Sequence, residues 1–179
     1  MIGINDESGL IRRARAGDQE AFGELITANR ARVWAVCLRI TGNTHDAQDA
    51  LQDTLVAAWR HIERFRSDSR FSTWLFRIAS NAALAVARRR PPTDVAEIGD
   101  VAGGRDPADC IAEAERVQSA LMALPEVFRA ALVLRIYGDL SYGEIAVHQG
   151  IPVQTVKSRL SRARSMLEQR LTPTSDIPD

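Results

Sequence analysis

The chain reads Ser141-Tyr142-Gly143-Glu144-Ile145-Ala146 and, after three intervening residues, Gly150-Ile151-Pro152-Val153-Gln154-Thr155-Val156-Lys157-Ser158-Arg159-Leu160-Ser161-Arg162-Ala163-Arg164. Ser141 followed by Glu144 has the spacing of a capping box, which predicts a helix over about 141–149. Gly150 allows the backbone to leave that helix, and Pro152 suits the first turn of a second helix over about 152–170. Two short helices joined by a tight turn are typical of a helix-turn-helix. Gly143 costs its helix about 1 kcal/mol relative to alanine, which predicts a close packing contact or a softer helix.

The second of these helices has one apolar and one basic face. Val156, Leu160, Ala163 and Leu167 recur at helical spacing and are expected to pack inward. The rest of the helix carries Lys157, Ser158, Arg159, Ser161, Arg162 and Arg164. A basic amphipathic helix is often only a solvated surface. Small polar residues interleaved with arginine, after a tight turn, nevertheless favour contact with nucleic acid.

Charge is unevenly distributed along a chain that is neutral as a whole. The 179 residues include 23 basic and 23 acidic side chains, so net charge alone predicts no polyanionic partner. Residues 60–90 nevertheless hold eight arginines, and residues 154–170 hold five basic groups against Glu168. The segment 91–115 between them carries seven carboxylates against Arg105. This distribution predicts two basic modules separated by an acidic spacer.

Helical periodicity covers nearly all of the chain outside that spacer. The first predicted helix follows Asp18 and ends at a break at Thr41-Gly42-Asn43, and a second helix begins near His45. Three further helices are predicted over about 72–90, 108–123 and 125–137. Ser72 or Thr73 is the expected cap of the helix over 72–90. No alternating pattern suggests a strand, so the fold is predicted to be all-α.

The domain organisation follows from the proline and glycine content. Segment 91–107 contains enough proline and glycine to exclude a regular helix, and this composition predicts a flexible linker. Two small helical domains are therefore expected over 8–90 and 108–171. The tail, 172–179, is expected to be disordered.

Composition argues against several functional classes. No apolar run approaches the length of a membrane span and the N-terminus lacks the core of a signal peptide, so a cytoplasmic protein without membrane insertion is expected. Cys37 and Cys110 form no CxxC pair and no zinc-site spacing. Cys37 is expected in the core. A disulfide between Cys37 and Cys110 is kept as an alternative, although a cytoplasmic location argues against it. No nucleophile–base set appears, so neither an enzyme nor a cofactor or metal is predicted.

The N-terminal half carries Asp46-Ala47-x-Asp49-x-Leu51-Gln52-Asp53-Thr54 with Trp59, and then Phe71-x-Thr73-Trp74-Leu75-x-Arg77-Ile78-Ala79-x-Asn81, which ends in Arg88-Arg89-Arg90. The C-terminal half carries Leu140-Ser141-Tyr142-x-Glu144-Ile145-Ala146 ahead of the basic helix. Together these motifs resemble regions 2.2, 2.3, 2.4 and 4 of the extracytoplasmic-function (ECF, group 4) sigma factors of bacterial RNA polymerase, which belong to the sigma-70 family. The resemblance covers residues 8–171 approximately. The presence of both sets of motifs in this order is highly specific for the family.

The resemblance implies a sigma factor that binds core RNA polymerase, recognises the minus-thirty-five and minus-ten promoter elements and stabilises melted promoter DNA. Asp49, Gln52 and Asp53 would bind the clamp helices of the polymerase's largest subunit, unless they are only a solvated acidic face. The C-terminal module would contact the flap region. Because an anti-sigma factor holds many relatives inactive, one is also implied as a partner here.

For the minus-ten element, the resemblance implies a pocket that holds an unstacked base. Such a pocket needs an aromatic or apolar wall and hydrogen-bonding groups, and the melted strand needs cations along its phosphates. By motif position the pocket comprises Phe65, Arg66, Ser67, Asp68, Ser69, Arg70, Phe71, Ile78 and Asn81, with Arg77, Arg88, Arg89 and Arg90 beside the strand. Phe71, Trp74 and Ile78 could instead be core residues, and this is the preferred interpretation of Trp74.

For the minus-thirty-five element, the resemblance implies contacts from Thr155, Lys157, Ser158, Arg159, Ser161 and Arg162. Lys157 and Arg159 can hold phosphate together with the helix N-terminus, and Arg162 is the first candidate for base specificity because arginine pairs bidentately with guanine. Arg164 could instead stabilise the module through an acidic partner. Three positions depart from the family pattern. Ala85 stands where relatives usually have Asp, Ser80 stands where Arg is common, and Ser161 stands where a larger residue is often found. The exact sequence of the upstream promoter element is therefore not predicted.

Two alternatives compete with a sigma factor. An autonomous helix-turn-helix regulator would need its own dimer surface or sensor domain, of which residues 8–90 give no sign. A helical adaptor that binds another protein would tolerate loss of the arginine at position 162.

Overall fold

The computed structural model describes residues 4–89 and 107–172, and all regular structure in these two ranges is helical, which confirms the all-α prediction. The predicted linker and tail lie almost entirely outside the described residues. The elements are α1 (Ile4–Arg15), α2 (Gln19–Thr41), α3 (Thr44–His61), a 3-10 turn (Ile62–Arg64), α4 (Phe71–Arg89), α5 (Pro107–Met122), α6 (Glu126–Ile136), α7 (Tyr142–Gln149) and α8 (Val153–Leu171).

The N-terminal module is a bundle of α2, α3 and α4, with α1 packed on α2. Asp18 starts α2 by accepting hydrogen bonds from the backbone N–H groups of Glu20 and Ala21. The helix ends at Gly42, whose left-handed backbone (φ 90°) lets its N–H return to the carbonyl of Leu38. The bundle encloses a core that includes Leu25, Ile40, Ile62, Leu75 and Phe76.

Two details of this module differ from the sequence-based expectation. The sequence pattern predicts that Asp46 faces outward on α3 together with Asp49, Gln52 and Asp53. In the structure Asp46 is instead buried, and it accepts a side-chain hydrogen bond from Asn43 at the start of α3. The expected cap at Ser72 or Thr73 was also wrong. The helix α4 already begins at Phe71, and the N–H of Trp74 bonds to the carbonyl of Arg70.

The C-terminal module consists of α5 to α8, and its last two helices are the predicted helix-turn-helix. The capping box of Ser141 and Glu144 is present in both directions. Gly150 has φ 63° at the end of α7, and α8 follows from Val153. Val156, Leu160 and Ala163 are buried as expected, and Leu167 is half-buried. Of the two explanations given for Gly143, the close packing contact is absent among the described residues, because the nearest atom to an added Cβ is the Ser141 Oγ at 3.9 Å.

The two modules pack against each other through α2 and α4 on one side and α5, α6 and α7 on the other. Their buried apolar residues form one continuous cluster. The arrangement brings the predicted minus-ten helix, α4, against the first helix of the helix-turn-helix. Among the described helices, none combines the length and apolar character needed to cross a bilayer.

Candidate nucleic-acid interface

The solvent side of α8 presents most of the residues predicted for the minus-thirty-five element. Lys157, Ser158, Ser161 and Arg162 are exposed, whereas Thr155 is half-buried and accepts a hydrogen bond through its backbone carbonyl from the Ser158 hydroxyl at 2.9 Å. These residues lie opposite the buried stripe of the helix. The exposed face is therefore polar and cationic, as a groove-binding helix requires.

The side chains of Arg159 and Arg164 differ in their exposure to solvent. Arg159 is half-buried, and its guanidinium donates to the side-chain oxygen of Gln149 at 2.9 Å, which joins α8 to the end of α7. Its cation is thus held beside the tight turn. Arg164 is exposed on α8.

Gln154 is a residue that the sequence analysis did not select. It is exposed in the first turn of α8 and lies on the same face as Ser158 and Ser161, at spacings of four and seven residues. Its amide can donate and accept at once, which allows bidentate pairing with adenine. Those spacings, applied to polar residues as well as to basic ones, would have identified Gln154 from the sequence.

The loop before α4 has an aromatic base and a polar rim. Phe65 and Phe71 are 2% and 1% exposed, and each ring packs against Trp74, with centroids 5.2 and 5.5 Å apart. In this arrangement neither phenylalanine has a free face for a base, so both support the loop from below. The rim consists of exposed Arg66, Ser67, Asp68 and Arg70, with half-buried Ser69.

Along α4, the remaining residues predicted for the minus-ten element differ in exposure. Asn81 and Arg88 are exposed and Ile78 is half-buried. Arg77 is half-buried, and its guanidinium donates to the backbone carbonyl of Glu144 at 3.4 Å. Arg89 is exposed, and Arg90 lies outside the described residues.

The residues predicted to bind polymerase form one surface on α3. Asp49, Gln52 and Asp53 are exposed and line a cleft of about 270 Å³ together with Val86 and Arg89 of α4. The imidazole of His45 lies 3.6 Å from the Asp49 carboxylate. His45, Asp46 and Asp49 have ligand atoms within 4.8 Å of one another.

Cys37 is buried in α2 and has no access to solvent. Burial raises the pKa of its thiol to about 12, despite a hydrogen bond with Thr54 that acts in the opposite direction. The reactive thiolate is therefore negligible at neutral pH, which supports the interpretation of Cys37 as a core residue. The side chain of Cys110 lies outside the described residues, so the disulfide expectation is not tested.

Comparison with known proteins assigns both modules. The chain matches Sigma-70 region 2 over residues 25–91 and Sigma-70, region 4 over residues 114–167. It is 32% identical to the ECF RNA polymerase sigma factor SigW of Bacillus subtilis (strain 168), covering 90% of this chain and 94% of that protein. It is 35% identical to the RNA polymerase sigma-H factor of Pseudomonas aeruginosa, with 97% of both chains covered.

Two solved structures have the same fold over nearly the whole chain. CnrH, in complex with the cytosolic domain of CnrY, has a TM-score of 0.71 and 31% identity, and covers 93% of this chain and 97% of its own. The sigma factor RpoE from Bartonella quintana, in complex with the anti-sigma factor NepR, has a TM-score of 0.73 and 25% identity, and covers 86% and 98%.

Two helical modules that match these two regions in this order define a sigma-70-type transcription initiation factor, which directs RNA polymerase to promoters. Within that class, the chain belongs to the ECF sigma factors.

Proposed function

We propose that this ECF sigma factor works in the cytoplasm by binding alone, with no chemistry on a substrate. It joins core polymerase and places its two modules, 8–90 and 108–171, on two promoter elements. The observation that carries the proposal is the exposed face of α8, where Lys157, Ser158, Ser161 and Arg162 stand opposite the buried side of a capped helix-turn-helix. Such a face fits the major groove, where arginine can pair with guanine and serine with several bases.

The minus-ten element is assigned to the loop 65–71 and α4. The buried aromatic base of the loop favours a refined assignment in which the polar rim, Arg66 to Arg70, and Asn81 bind the unstacked base. Ile78 supplies an apolar wall. Arg77 and Arg88 are the cations beside the phosphates of the melted strand.

The cleft on α3 is the proposed binding site for core polymerase. Its acidic wall of Asp49 and Asp53 favours a basic segment of the clamp, and Gln52 can donate and accept hydrogen bonds. The flap region is assigned to the C-terminal module, where Val127 and Val147 are exposed apolar residues at 43% and 73%. An anti-sigma factor is proposed as a further partner because the RpoE relative was solved with one.

Run-off transcription with core polymerase on a randomised promoter library tests the proposal. We expect product from wild type, with two enriched elements upstream of the start. Arg162→Ala should relax preference at one base pair by roughly 1–3 kcal/mol, whereas Arg170→Ala, at the exposed end of the same helix, should not. Absence of any product would refute the proposal.

The same experiment separates the alternatives. Tight binding to duplex DNA without polymerase would favour an autonomous regulator. Full activity of Arg162→Ala would favour a helical adaptor.

A further inference from the structure

The end of α7 is linked to two other helices by a single side chain, Gln149. Its amide oxygen accepts a hydrogen bond from Nη1 of Arg159 on α8 at 2.9 Å. Its amide nitrogen donates to the backbone carbonyl of Val127, in the first turn of α6, at 3.3 Å. A carboxamide can accept from one neighbour while it donates to another. Gln149 therefore joins α6, α7 and α8 at one point.

Apolar packing contributes little to the structure at this end of α7. The helix has eight residues, of which Ile145 and Ala146 are buried. Val147, in its last turn, is 73% exposed, and a Cβ added at Gly150 in the turn would meet no atom within 4 Å. Parts of a fold with few buried apolar contacts are the less rigid ones. The angle between α7 and α8 at the turn consequently depends on the turn backbone and on the hydrogen bonds of Gln149.

Arg159 lies on a flank of α8 that faces its own module. At 3.6 residues per turn it is about 60° around the helix from Val156, the first residue of the buried stripe. On the same flank, seven residues later, Met166 packs against the hydrophobic core. The middle of the exposed face, between Ser158 and Ser161, is about 130° away from Arg159. Arg159 is thus placed to contact the protein and not a base edge.

The bond to Gln149 restrains the Arg159 side chain without neutralising it. Arginines that bind phosphate commonly present two N–H groups of the guanidinium fork to the anion. In Arg159 the Nη1 group already donates to a neutral amide, and the side chain is half-buried. Turning the fork outward to a phosphate would break this bond and release α8 from the end of α7. Holding a phosphate and holding the two helices together therefore compete for the same guanidinium.

The angle at the turn determines where the side chains assigned to base edges lie. Ser161 is about 12 Å along the helix from Val153, the first residue of α8. A change of about 5° at the turn would move Ser161 by about 1 Å, which is enough to lengthen an ordinary hydrogen bond beyond its normal range. Recognition of the base sequence is the property most sensitive to such a shift, because phosphate contacts carry no sequence information.

We propose that Arg159 is a positioning residue for promoter recognition: through Gln149 it fixes the angle of α8, and it aligns the base-contacting side chains without binding phosphate itself. This role differs from the phosphate contact that the sequence analysis predicts for Arg159. The inference rests on the proposed placement of the exposed face of α8 in the major groove.

Equilibrium binding of the holoenzyme to two fluorescein-labelled promoter duplexes tests this role. One duplex carries the upstream element selected from the library, and the other carries a scrambled upstream element. The ratio of the two affinities measures base recognition. A partial loss of folded protein leaves this ratio unchanged, because it lowers binding to both duplexes equally. The slope of log affinity against log salt concentration, from about 50 to about 200 mM, reports the number of phosphates bound.

Two variants remove the same hydrogen bond from opposite sides. Gln149→Ala deletes the amide, and Arg159→Met deletes the guanidinium but keeps an unbranched side chain. We expect each to lower the affinity ratio about tenfold, which is the discrimination carried by one base contact. The double variant should lower it no further, because both changes remove one shared interaction. Gln169→Ala and Arg170→Met, exposed near the end of the same helix, are the matched controls and should keep the wild-type ratio.

The salt dependence separates positioning from phosphate binding. We expect Arg159→Met to change the slope no more than Arg170→Met does. A phosphate contact would instead reduce the slope by about one relative to that control, weaken binding to both duplexes equally and leave Gln149→Ala without effect. That pattern, or additive losses in the double variant, would overturn the inference while leaving the proposed function intact.

Either single variant decides the question if the other fails to fold. If the wild-type holoenzyme binds both duplexes equally, the proposed placement of α8 fails, and the inference fails with it.

Discussion

Gly143 is a residue whose replacement should stabilise the protein. It lies inside α7, its backbone is helical, and an added Cβ meets no atom closer than 3.9 Å. We expect Gly143→Ala to raise the free energy of unfolding by about 0.5–1 kcal/mol, because alanine loses less backbone entropy in a helix. Thermal unfolding measures the change. Gly150→Ala provides the opposite control, since φ at this position is 63° and alanine should be strained there.

Gln154 should determine one base of the upstream element. Its amide lies on the exposed face of α8 with Ser158 and Ser161, and a carboxamide can pair bidentately with an adenine, whereas a serine hydroxyl cannot. We expect Gln154→Ala to relax the preference at a single base pair by roughly 1–3 kcal/mol in a promoter-library selection with core polymerase. Gln169→Ala, exposed near the end of the same helix, should leave every preference unchanged.

Single residues also show which hydrogen bonds could be predicted from the sequence and which could not. The capping box of Ser141 and Glu144 was predicted because its partners are three positions apart and the hydrogen bonds are local. The bond from Thr73 to the same carboxylate joins positions 71 residues apart, and no local pattern encodes such a pair. Thr73 was consequently expected to be a helix cap, although it bridges the two modules.

At the level of the elements, the aromatic base of the loop should be a stability determinant. Phe71 is 1% exposed and packs against Phe65 and Trp74. We expect Phe71→Ala to cost about 3–5 kcal/mol of unfolding free energy, because it leaves a cavity at the start of α4. Arg66→Ala, on the exposed rim of the loop, should weaken promoter melting while leaving the unfolding curve unchanged. Denaturant unfolding and permanganate footprinting distinguish the two effects.

The longer helices were predicted within a few residues because each has an apolar stripe at helical spacing. The helix α1 was missed, since within its described side chains only Leu10 and Ala14 are buried and Gly9 interrupts the pattern. Its position depends on contacts with other elements. Arg15 donates to the carbonyl of Glu63 in the 3-10 turn, 48 residues away. Helices of this kind are specified by tertiary packing more than by their own sequence.

For the molecule as a whole, the sequence identified both modules but not their arrangement. Arg32, Arg39 and Gln118 contribute hydrogen bonds across the interface, beside the buried apolar residues that join the two modules. Such residues are also typical of solvated surfaces, so composition alone could not mark them as interface residues.

Acidification should separate the two modules through His148. This imidazole is half-buried on α7, and burial, together with the charge of Arg77 on α4, lowers its pKa. A histidine with a lowered pKa binds fewer protons when folded, so its stabilising contribution is present above the ordinary pKa and is lost as the pH falls below it. Glu144, whose pKa is also lowered, stays ionised in this range and its contribution declines only at lower pH.

We therefore expect the radius of gyration of the free protein, measured by small-angle X-ray scattering, to increase as the pH is lowered from about 8 to about 5.5. Protonated His148 would stand beside Arg77 with a like charge, and separation of the modules relieves both the repulsion and the cost of burying the cation. His148→Gln should remove this dependence because glutamine is neutral throughout, whereas His61→Gln, at the exposed end of α3, should retain it. A wild-type radius that stays constant over this range would mean that His148 does not control the packing of the two modules.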